Sequence, residues 1–178
     1  MLSLEEIGQS VRNNLQLIID SQELPLAVGP ITDQDFRILF GGFGDLEWEF
    51  GLAEYGNDPD RFEFCVKLVN MAIETVPSGV ALCVYGVNDK IFRIHMIENF
   101  SKNDKNHPLT GRMVLLTLMS AYLFSVAVEA EGVYIMEPVS ELCDYYASFG
   151  FTMHECGYIM VSDVNGLQTA FGKFARMV

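Results

Sequence analysis

Residues 106–116 read NHPLTGRMVLL, where a polar loop runs into a long apolar segment. The sixteen residues Met113–Val128 carry no charge. They fall short of the ~20 residues that span a bilayer, so they predict a buried helix, over about 112–131 with Gly132 closing it. Because this helix is apolar nearly all round, something must cover its outer side. The N-terminal helix and a second subunit are the two candidates.

Predicted strands flank this helix on both sides, and a further helix follows it. Upstream, the β-rich runs Val80–Val87 and Lys90–Phe100 are joined by Asn88-Asp89, which predicts a hairpin. Downstream, the pattern predicts a strand, a helix and a last hairpin turning at 165–166: Val133–Met136, Pro138–Ser148, and Phe151–Ser162 with Leu167–Arg176. This alternation predicts an α/β fold, a mixed sheet flanked by helices.

The N-terminal half gives weaker signals. Apolar residues at three- and four-residue steps predict a helix over Ser3–Ser21, with Ser3 as its N-cap and Glu6 completing a capping box. The other predicted elements are an edge strand, a short helix and a longer helix opened by Asp58-Pro59: Leu24–Ile31, 32–42 and 58–75.

Composition limits the class of protein. The chain has 178 residues, 50% of them hydrophobic, with 24 acidic and 11 basic side chains and a net charge of −13. A chain of this charge repels phosphate backbones, so we expect neither nucleic-acid nor membrane partners. The four cysteines and three histidines form no zinc pattern, and the N-terminus lacks a signal peptide. We therefore expect no metal, reduced cysteines dispersed in the core, and a cytoplasmic protein.

The loop-to-helix junction is a candidate anion site. Gly111 allows a ligand to approach the main chain closely, and the first amides of a helix have no internal partner. Lys102, Lys105 and Arg112 concentrate positive charge nearby in an acidic chain. Together these features favour a phosphate or pyrophosphate cradle. The alternative is an ordinary solvated loop in which glycine eases a turn.

The order of the motifs resembles a known superfamily. A strand and polar loop are followed by Gly-Arg-x-x-Leu-Leu at 111–116, Glu-Gly at 131–132, a short strand, and Tyr-x-x-x-Gly-Phe at 146–151. This order resembles the GNAT superfamily of acyl-CoA-dependent N-acyltransferases over Val80–Arg176. The resemblance implies a single GNAT-like domain over 1–178, with a mostly antiparallel sheet. It also implies an added N-terminal helix at 1–22 and an acyl-CoA-binding core at 80–176.

The resemblance also implies where the co-substrate, acetyl-CoA or another acyl-CoA, would bind. The family loop reads Gln/Arg-x-x-Gly-x-Gly/Ala. Asn106 and Leu109 depart from its first two signature positions, and Gly111 matches the third. The implied cofactor contacts lie at the end of the preceding strand and in the loop: Asn99, Phe100, Asn106, His107, Leu109, Thr110, Gly111 and Arg112.

For catalysis the resemblance implies direct attack of an amine on the thioester, without an acyl-enzyme. Tyr146 matches the tyrosine that protonates the departing thiolate, with Tyr145 as the alternative if the register slips by one. Glu98 and His95 are both candidates for the general base. Strand alternation puts these two on opposite faces unless a bulge separates them.

The acceptor remains open at this level. An acidic and aromatic stretch would suit a cationic amine, although surface exposure explains it equally well. It comprises Asp45, Glu47, Trp48, Glu49, Glu54 and Tyr55. We expect acetyl transfer to a primary amine of a small molecule or protein, with a possible homodimer. The alternatives are a catalytically silent GNAT-fold module that binds acyl-CoA or another protein, and an unrelated α/β domain that dimerises through its apolar helix.

Overall fold

The computed structural model describes residues 1–71 and 76–174. Its helices are α1 Leu4–Ser21, α2 Asp33–Phe40, α3 Trp48–Glu54, α4 Met113–Ala127, α5 Cys143–Ala147 and α6 Val164–Phe174. Its strands are β1 Leu26–Gly29, β2 Arg61–Asn70, β3 Gly79–Gly86, β4 Ile91–Asn99, β5 Gly132–Met136, β6 Thr152–Met153 and β7 Ile159–Ser162.

The seven strands form one sheet in the order β1-β2-β3-β4-β5-β7-β6. Every neighbouring pair is antiparallel except β4 and β5, which run parallel. The α4 helix makes the crossover that a parallel pair requires. The predicted α/β class, with a mixed and mostly antiparallel sheet flanked by helices, is confirmed.

The N-terminal helix is one of the covers of α4. Ser3 and Glu6 form the predicted capping box, which fixes where α1 begins. The buried face of α1, with Leu15 and Ile19 fully buried, packs toward the sheet and α4, and α6 packs on α4 as well. These contacts explain how a helix with no polar face remains in the interior.

The sheet separates two apolar layers. The larger one lies under α1, α4, α5 and α6, where the Phe124 ring contacts the rings of Phe64 and Phe92. The smaller one lies under α2 and α3 and contains Leu39, Trp48, Leu52, Cys65, Val80 and Leu82. Residues that alternate along β2, β3 and β4 supply both layers, since successive side chains of a strand point to opposite faces.

The predicted helix over 58–75 is wrong where the structure describes it. Asp58 and Arg61 exchange main-chain hydrogen bonds across Pro59 and Asp60, so this segment is a tight turn. It leads into β2, which pairs with β3 over eight residues. The Asp-Pro pair starts turns as well as helices, and pairing with a distant strand decided between them. Residues 72–75 lie outside the described part of the chain.

The predicted last hairpin is also wrong. The hairpin is formed by β6 and β7, and positions 165–166 lie in the first turn of α6. There the carboxylate of Asp163 accepts a 2.5 Å hydrogen bond from the Gly166 N–H, which starts a helix where we predicted a turn.

Smaller corrections concern element ends and the cysteines. The α4 helix ends at Ala127 rather than Glu131, because Glu129 takes a positive φ of 53° and Gly132 begins β5. The predicted 138–148 helix is a 3-10 turn followed by α5. Cys156 is exposed, contrary to the expectation that the cysteines lie in the core.

Candidate functional site

The sheet opens between β4 and β5. These strands pair only from Ile91 with Gly132 to Ile94 with Ile135, although β4 continues to Asn99. Within the described residues, positions 95–99 therefore have no strand on their β5 side. Their main-chain groups line an opening where an extended ligand can pair with β4.

A bulge at His95 marks the start of this opening. On the β3 side, Cys83 faces Ile94 and Leu82 faces Met96, so His95 is an extra residue. The extra residue reverses the alternation beyond it, and Glu98 lies on the same face as His95, toward α2 and α3. The sequence places them on opposite faces unless such a bulge is present, and the structure supplies it.

The Glu98 carboxylate accepts three hydrogen bonds on this face of the sheet. The donors are the main-chain N–H groups of Asp45 (2.6 Å) and Leu46 (3.1 Å) and the indole Nε1 of Trp48 (2.8 Å). Only 8% of the residue is exposed. A Cβ at Gly44 would lie 2.5 Å from the same carboxylate, so the loop must have glycine there. Through these hydrogen bonds, Glu98 holds the loop before α3 against β4.

His95 lines a cleft on the same face. Its ring stacks on Tyr55 with centroids 3.9 Å apart and planes 19° apart. Burial, reinforced by the charges of Arg93 and Arg61, lowers the pKa of His95 to about 4. The imidazole is therefore neutral at pH 7 and can accept a hydrogen bond.

The cleft has a volume of about 610 Å³. Two ion pairs frame it, Asp58 with Arg61 at 2.8 Å and Asp89 with Arg93 at 2.6 Å. Met136, the last residue of β5, also lines it. The cleft therefore adjoins the opening between the strands. The Asp58–Arg61 pair was not predicted, because the sequence pattern placed Arg61 in a helix.

The loop before α4 folds around its own side chains. Leu109 is fully buried, with its side chain directed at Gly79 and Met113. The Leu109 N–H donates to Nδ1 of His107, whose residue is only 7% exposed. The Leu109 side chain thus packs inward and does not lie across the helix N-terminus. The His107 ring helps to shape the loop, and its expected contact with a phosphate stays a prediction.

The remaining predicted cofactor residues divide into two groups. Asn99 donates from Nδ2 to the Leu109 carbonyl (3.2 Å), which ties the end of β4 to the loop. The Phe100 ring packs on Phe43 with centroids 4.9 Å apart, in the layer under α2 and α3. The second group lies in the loop. Asn106 and Arg112 are exposed, and the Arg112 guanidinium donates to the Pro108 carbonyl. The Thr110 hydroxyl donates to the Asp104 carbonyl.

The start of α4 has main-chain N–H groups without intrahelical acceptors. The first bond of this turn runs from Leu116 N–H to the Arg112 carbonyl, which leaves the N–H groups of residues 113–115 without such acceptors. Those of Thr110 and Arg112, in contrast, donate to the carbonyls of His107 and Leu109. Gly111 is exposed with a φ of +72°, and no described atom lies within 4 Å of the place where its Cβ would be. This geometry suits an anion, since the helix dipole adds to the amides there.

Tyr146 lies on the other face of the sheet from His95, in the larger apolar layer. It is 4% exposed and meets Phe151 edge-on, with centroids 6.2 Å apart. Burial, with the neighbouring Cys143 and Tyr145, raises the pKa of Tyr146 to about 12. The phenol therefore stays protonated at neutral pH. Tyr145 is half-buried and packs edge-on against Phe149.

The acidic and aromatic stretch is divided by the fold. Trp48 is 1% exposed and is not among the residues that line the cleft beside His95. Tyr55 does line the cleft, whereas Asp45 pairs with Lys102 and Glu47 and Glu49 lie exposed.

Among residues 1–71 and 76–174, no group of three His, Cys, Asp or Glu side chains is placed to hold a metal ion. No described helix is both long and apolar enough to cross a membrane.

Comparison with known proteins identifies the fold. No protein-family model matches the chain, and no curated protein matches it in sequence. Solved structures do match. AtaTR bound with acetyl-CoA is 13% identical, with a TM-score of 0.55, over 83% of this chain and 98% of that one. A KacTA–DNA complex is 16% identical, with a TM-score of 0.54, over 83% and 99%.

The ribosomal-protein-S18-alanine N-acetyltransferase from Escherichia coli is 10% identical, with a TM-score of 0.53, over 78% of this chain and 94% of that one. At such identities the likeness concerns architecture. The architecture in question is the mixed, mostly antiparallel seven-stranded sheet flanked by helices, with an N-terminal helix. The chain therefore has the GNAT fold.

Proposed function

We propose that this chain is an N-acyltransferase that uses acetyl-CoA, or another acyl-CoA, to acylate an amine by direct attack in a ternary complex. The observation that carries this proposal is the edge of β4 over residues 95–99, beside which no strand lies in the described part of the chain. This edge starts at the His95 bulge and runs toward the amides of α4. A pantetheine arm is the kind of extended, amide-containing ligand that such an edge can bind.

The two ends of the opening support different parts of the co-substrate. The amides of the first turn of α4 and the charge of Arg112 would hold the diphosphate, with the main chain at Gly111 open to its approach. A main-chain N–H of the free β4 edge would donate to the thioester oxygen, where negative charge develops as the amine attacks. Asn99 would contribute by keeping the loop at the end of β4.

The reaction itself needs little from side chains. An amine that arrives as a cation first loses one proton to water. The neutral amine then attacks the thioester carbon, the C–S bond breaks with its electron pair going to sulfur, and a second proton leaves the nitrogen as the amide forms. His95, neutral and beside the opening, would accept a hydrogen bond from the amine or from a water that takes this proton. The Tyr146 hydroxyl would donate to the departing thiolate from the opposite face.

The cleft beside His95 supports the choice of acceptor. Its carboxylates Asp58, Asp60 and Asp89 outnumber Arg61 and Arg93, so it favours an amine that arrives as a cation. The acceptor is then an amine of a small molecule or of a protein, and we do not propose nucleic acid as the partner of this acidic chain.

A catalytically silent acyl-CoA-binding or protein-interaction module is the second candidate. Two observations favour it: the Glu98 carboxylate is taken up by three N–H donors, and Tyr146 is nearly inaccessible. The opening could still bind acyl-CoA, but neither Glu98 nor Tyr146 would then be available for proton transfer.

Thermal unfolding with and without acetyl-CoA tests the shared part of the two candidates. A ligand of the native state raises the unfolding midpoint with its concentration. A shift, together with thiol release over a panel of amines, is the result expected of the enzyme. A shift without thiol release favours the silent acyl-CoA-binding module. No shift at millimolar acetyl-CoA contradicts both the enzyme and the acyl-CoA-binding module and leaves the protein-interaction module.

A further inference from the structure

A second concavity lies between α2 and α3, away from the cleft beside His95. It has a volume of about 510 Å³ and is lined mainly by apolar side chains. We call it the α2–α3 groove. Its lining residues are Leu39, Phe40, Gly42, Leu46, Glu47, Trp48, Glu49, Phe50 and Ala53.

The groove exposes large apolar side chains at unusually high density. Phe40 is 45% exposed, Leu46 is 41% exposed and Phe50 is 59% exposed, while Phe43 beside them is 45% exposed. Single exposed apolar residues are common on protein surfaces, whereas several around one groove indicate an interaction site.

Packing holds in place Phe40, which lines the groove, and Phe43, which follows the lining residue Gly42. Phe40 meets Phe36 edge-on at 6.0 Å, and Phe43 packs on Phe100 at 4.9 Å. Trp48 forms part of the floor, where its indole N–H is fixed on Glu98. A partner would therefore meet a preformed surface, which reduces the entropy lost on binding.

Charge at the rim selects the partner. The segment 41–60 contains six acidic residues and no basic residue. Lys102 neutralises Asp45, but Glu47 and Glu49 stay exposed at the groove and have no ion-pair partner among the described residues. An apolar groove with a negative rim is complementary to an apolar stripe flanked by Lys and Arg.

We propose that the α2–α3 groove docks a cationic amphipathic helix of a partner protein. Such a helix presents apolar anchors at three- and four-residue steps, and its flanking cations meet Glu47 and Glu49. A second copy of this chain fits less well, because its net charge of −13 would bring acidic surface against acidic surface. The proposal does not depend on acyl transfer.

The sole tryptophan of the chain makes this testable. The probe is a tryptophan-free peptide with Leu and Phe at helical spacing and Lys on both flanks, labelled for fluorescence anisotropy. Two control peptides have the same apolar residues with Glu flanks, or the same composition in shuffled order. Trp48 emission reports binding at the groove floor independently of any coenzyme.

We expect saturable binding of the Lys-flanked peptide, a change in Trp48 emission, and affinity that falls as salt rises. Phe50→Ser should weaken binding at least about tenfold, as loss of a buried aromatic anchor does. The double variant Glu47→Lys with Glu49→Lys should weaken it and reduce its salt dependence. Leu17→Ser, which changes another exposed apolar residue on α1, is the matched control and should leave binding unchanged.

The proposal is overturned if the Lys-flanked peptide does not bind, if the shuffled peptide binds as well, or if Leu17→Ser weakens binding as much as Phe50→Ser. It is also overturned if sedimentation velocity finds a dimer that Phe50→Ser dissociates, since the occupant would then be a second copy. Circular dichroism of each variant checks that a loss of binding is not a loss of fold.

Discussion

The Glu98 carboxylate accepts a 2.8 Å hydrogen bond from the indole Nε1 of Trp48, joining β4 to the start of α3 across fifty residues of sequence. Two main-chain N–H groups of the preceding loop donate to the same carboxylate. The strand that borders the proposed acyl-CoA opening is thereby fastened to the helical layer that carries Tyr55. This relationship gives Glu98 a positioning function whether or not it exchanges protons.

Glu98→Gln should lower the free energy of unfolding by about 1–3 kcal/mol. The carboxylate accepts hydrogen bonds from three N–H groups, and the glutamine amide nitrogen, which is a donor, cannot accept them. Urea unfolding followed by Trp48 fluorescence measures the change in stability. Glu49→Gln, on the exposed face of α3, is the control and should change stability little. Unchanged stability of Glu98→Gln, with reduced turnover, would contradict the positioning function and favour proton transfer by Glu98.

Gly111→Ala should weaken acetyl-CoA binding. Gly157 is a matched control, because both glycines have positive φ, 72° and 77°, and open space around the missing Cβ. Alanine in this conformation costs roughly 1–2 kcal/mol at either position, so the two variants should lose similar stability. Only Gly111→Ala should reduce the thermal shift with acetyl-CoA. Equal shifts in both variants would remove the anion cradle from the proposal.

His95 should make stability fall with acidification. Its folded pKa of about 4 lies below the ordinary 6.5, so the unfolded chain binds the proton first as pH falls. The stability associated with neutral His95 is complete above pH 6.5 and is lost progressively toward pH 4.

Urea midpoints at several pH values between 7 and 4 check this expectation. His95→Phe keeps an aromatic ring beside Tyr55 but cannot titrate, so its stability should fall less over this range than that of the natural chain. His154→Phe, at an exposed position, should leave the profile unchanged. Parallel profiles for the natural chain and His95→Phe would show that His95 does not control the response.

Tyr146→Phe tests whether the Tyr146 hydroxyl is the general acid that protonates the departing thiolate. If the hydroxyl donates to the departing thiolate, turnover should fall at least about tenfold once an acceptor amine is identified, while acetyl-CoA still binds. Tyr145→Phe is the neighbouring control and should retain activity. Full activity of Tyr146→Phe would remove its catalytic role, and full loss in Tyr145→Phe alone would mean that the register of the motif is shifted by one residue.

Local patterns predicted the elements that local interactions determine. The Ser3–Glu6 capping box and the apolar stripe of α1 lie within one helix, and the β3–β4 hairpin turns at Asn88-Asp89 between adjacent strands. The helix that follows Gly111 was predicted for the same reason. The sequence did not decide what covers the outer side of this helix, because one of its covers is α1, about a hundred residues earlier in the chain.

Prediction failed where a distant partner decides. Asp58-Pro59 could start a helix or a turn, and pairing with β3 selected the turn and β2. Leu109, a departure from the family loop, could have obstructed the anion site, but a space beside Gly79 accommodates its side chain. Trp48 could have been an exposed side chain, but it is buried with its indole N–H on the Glu98 carboxylate.

The sequence by itself determined the order of elements around Gly111, the GNAT-like motif series and the acidic character of the chain, since each depends on neighbours in the sequence or on composition. The tertiary structure alone decided the His95 bulge, the opening between β4 and β5 and the shared face of His95 and Glu98. These depend on strand register, which is fixed by hydrogen bonds and packing between segments far apart in the chain.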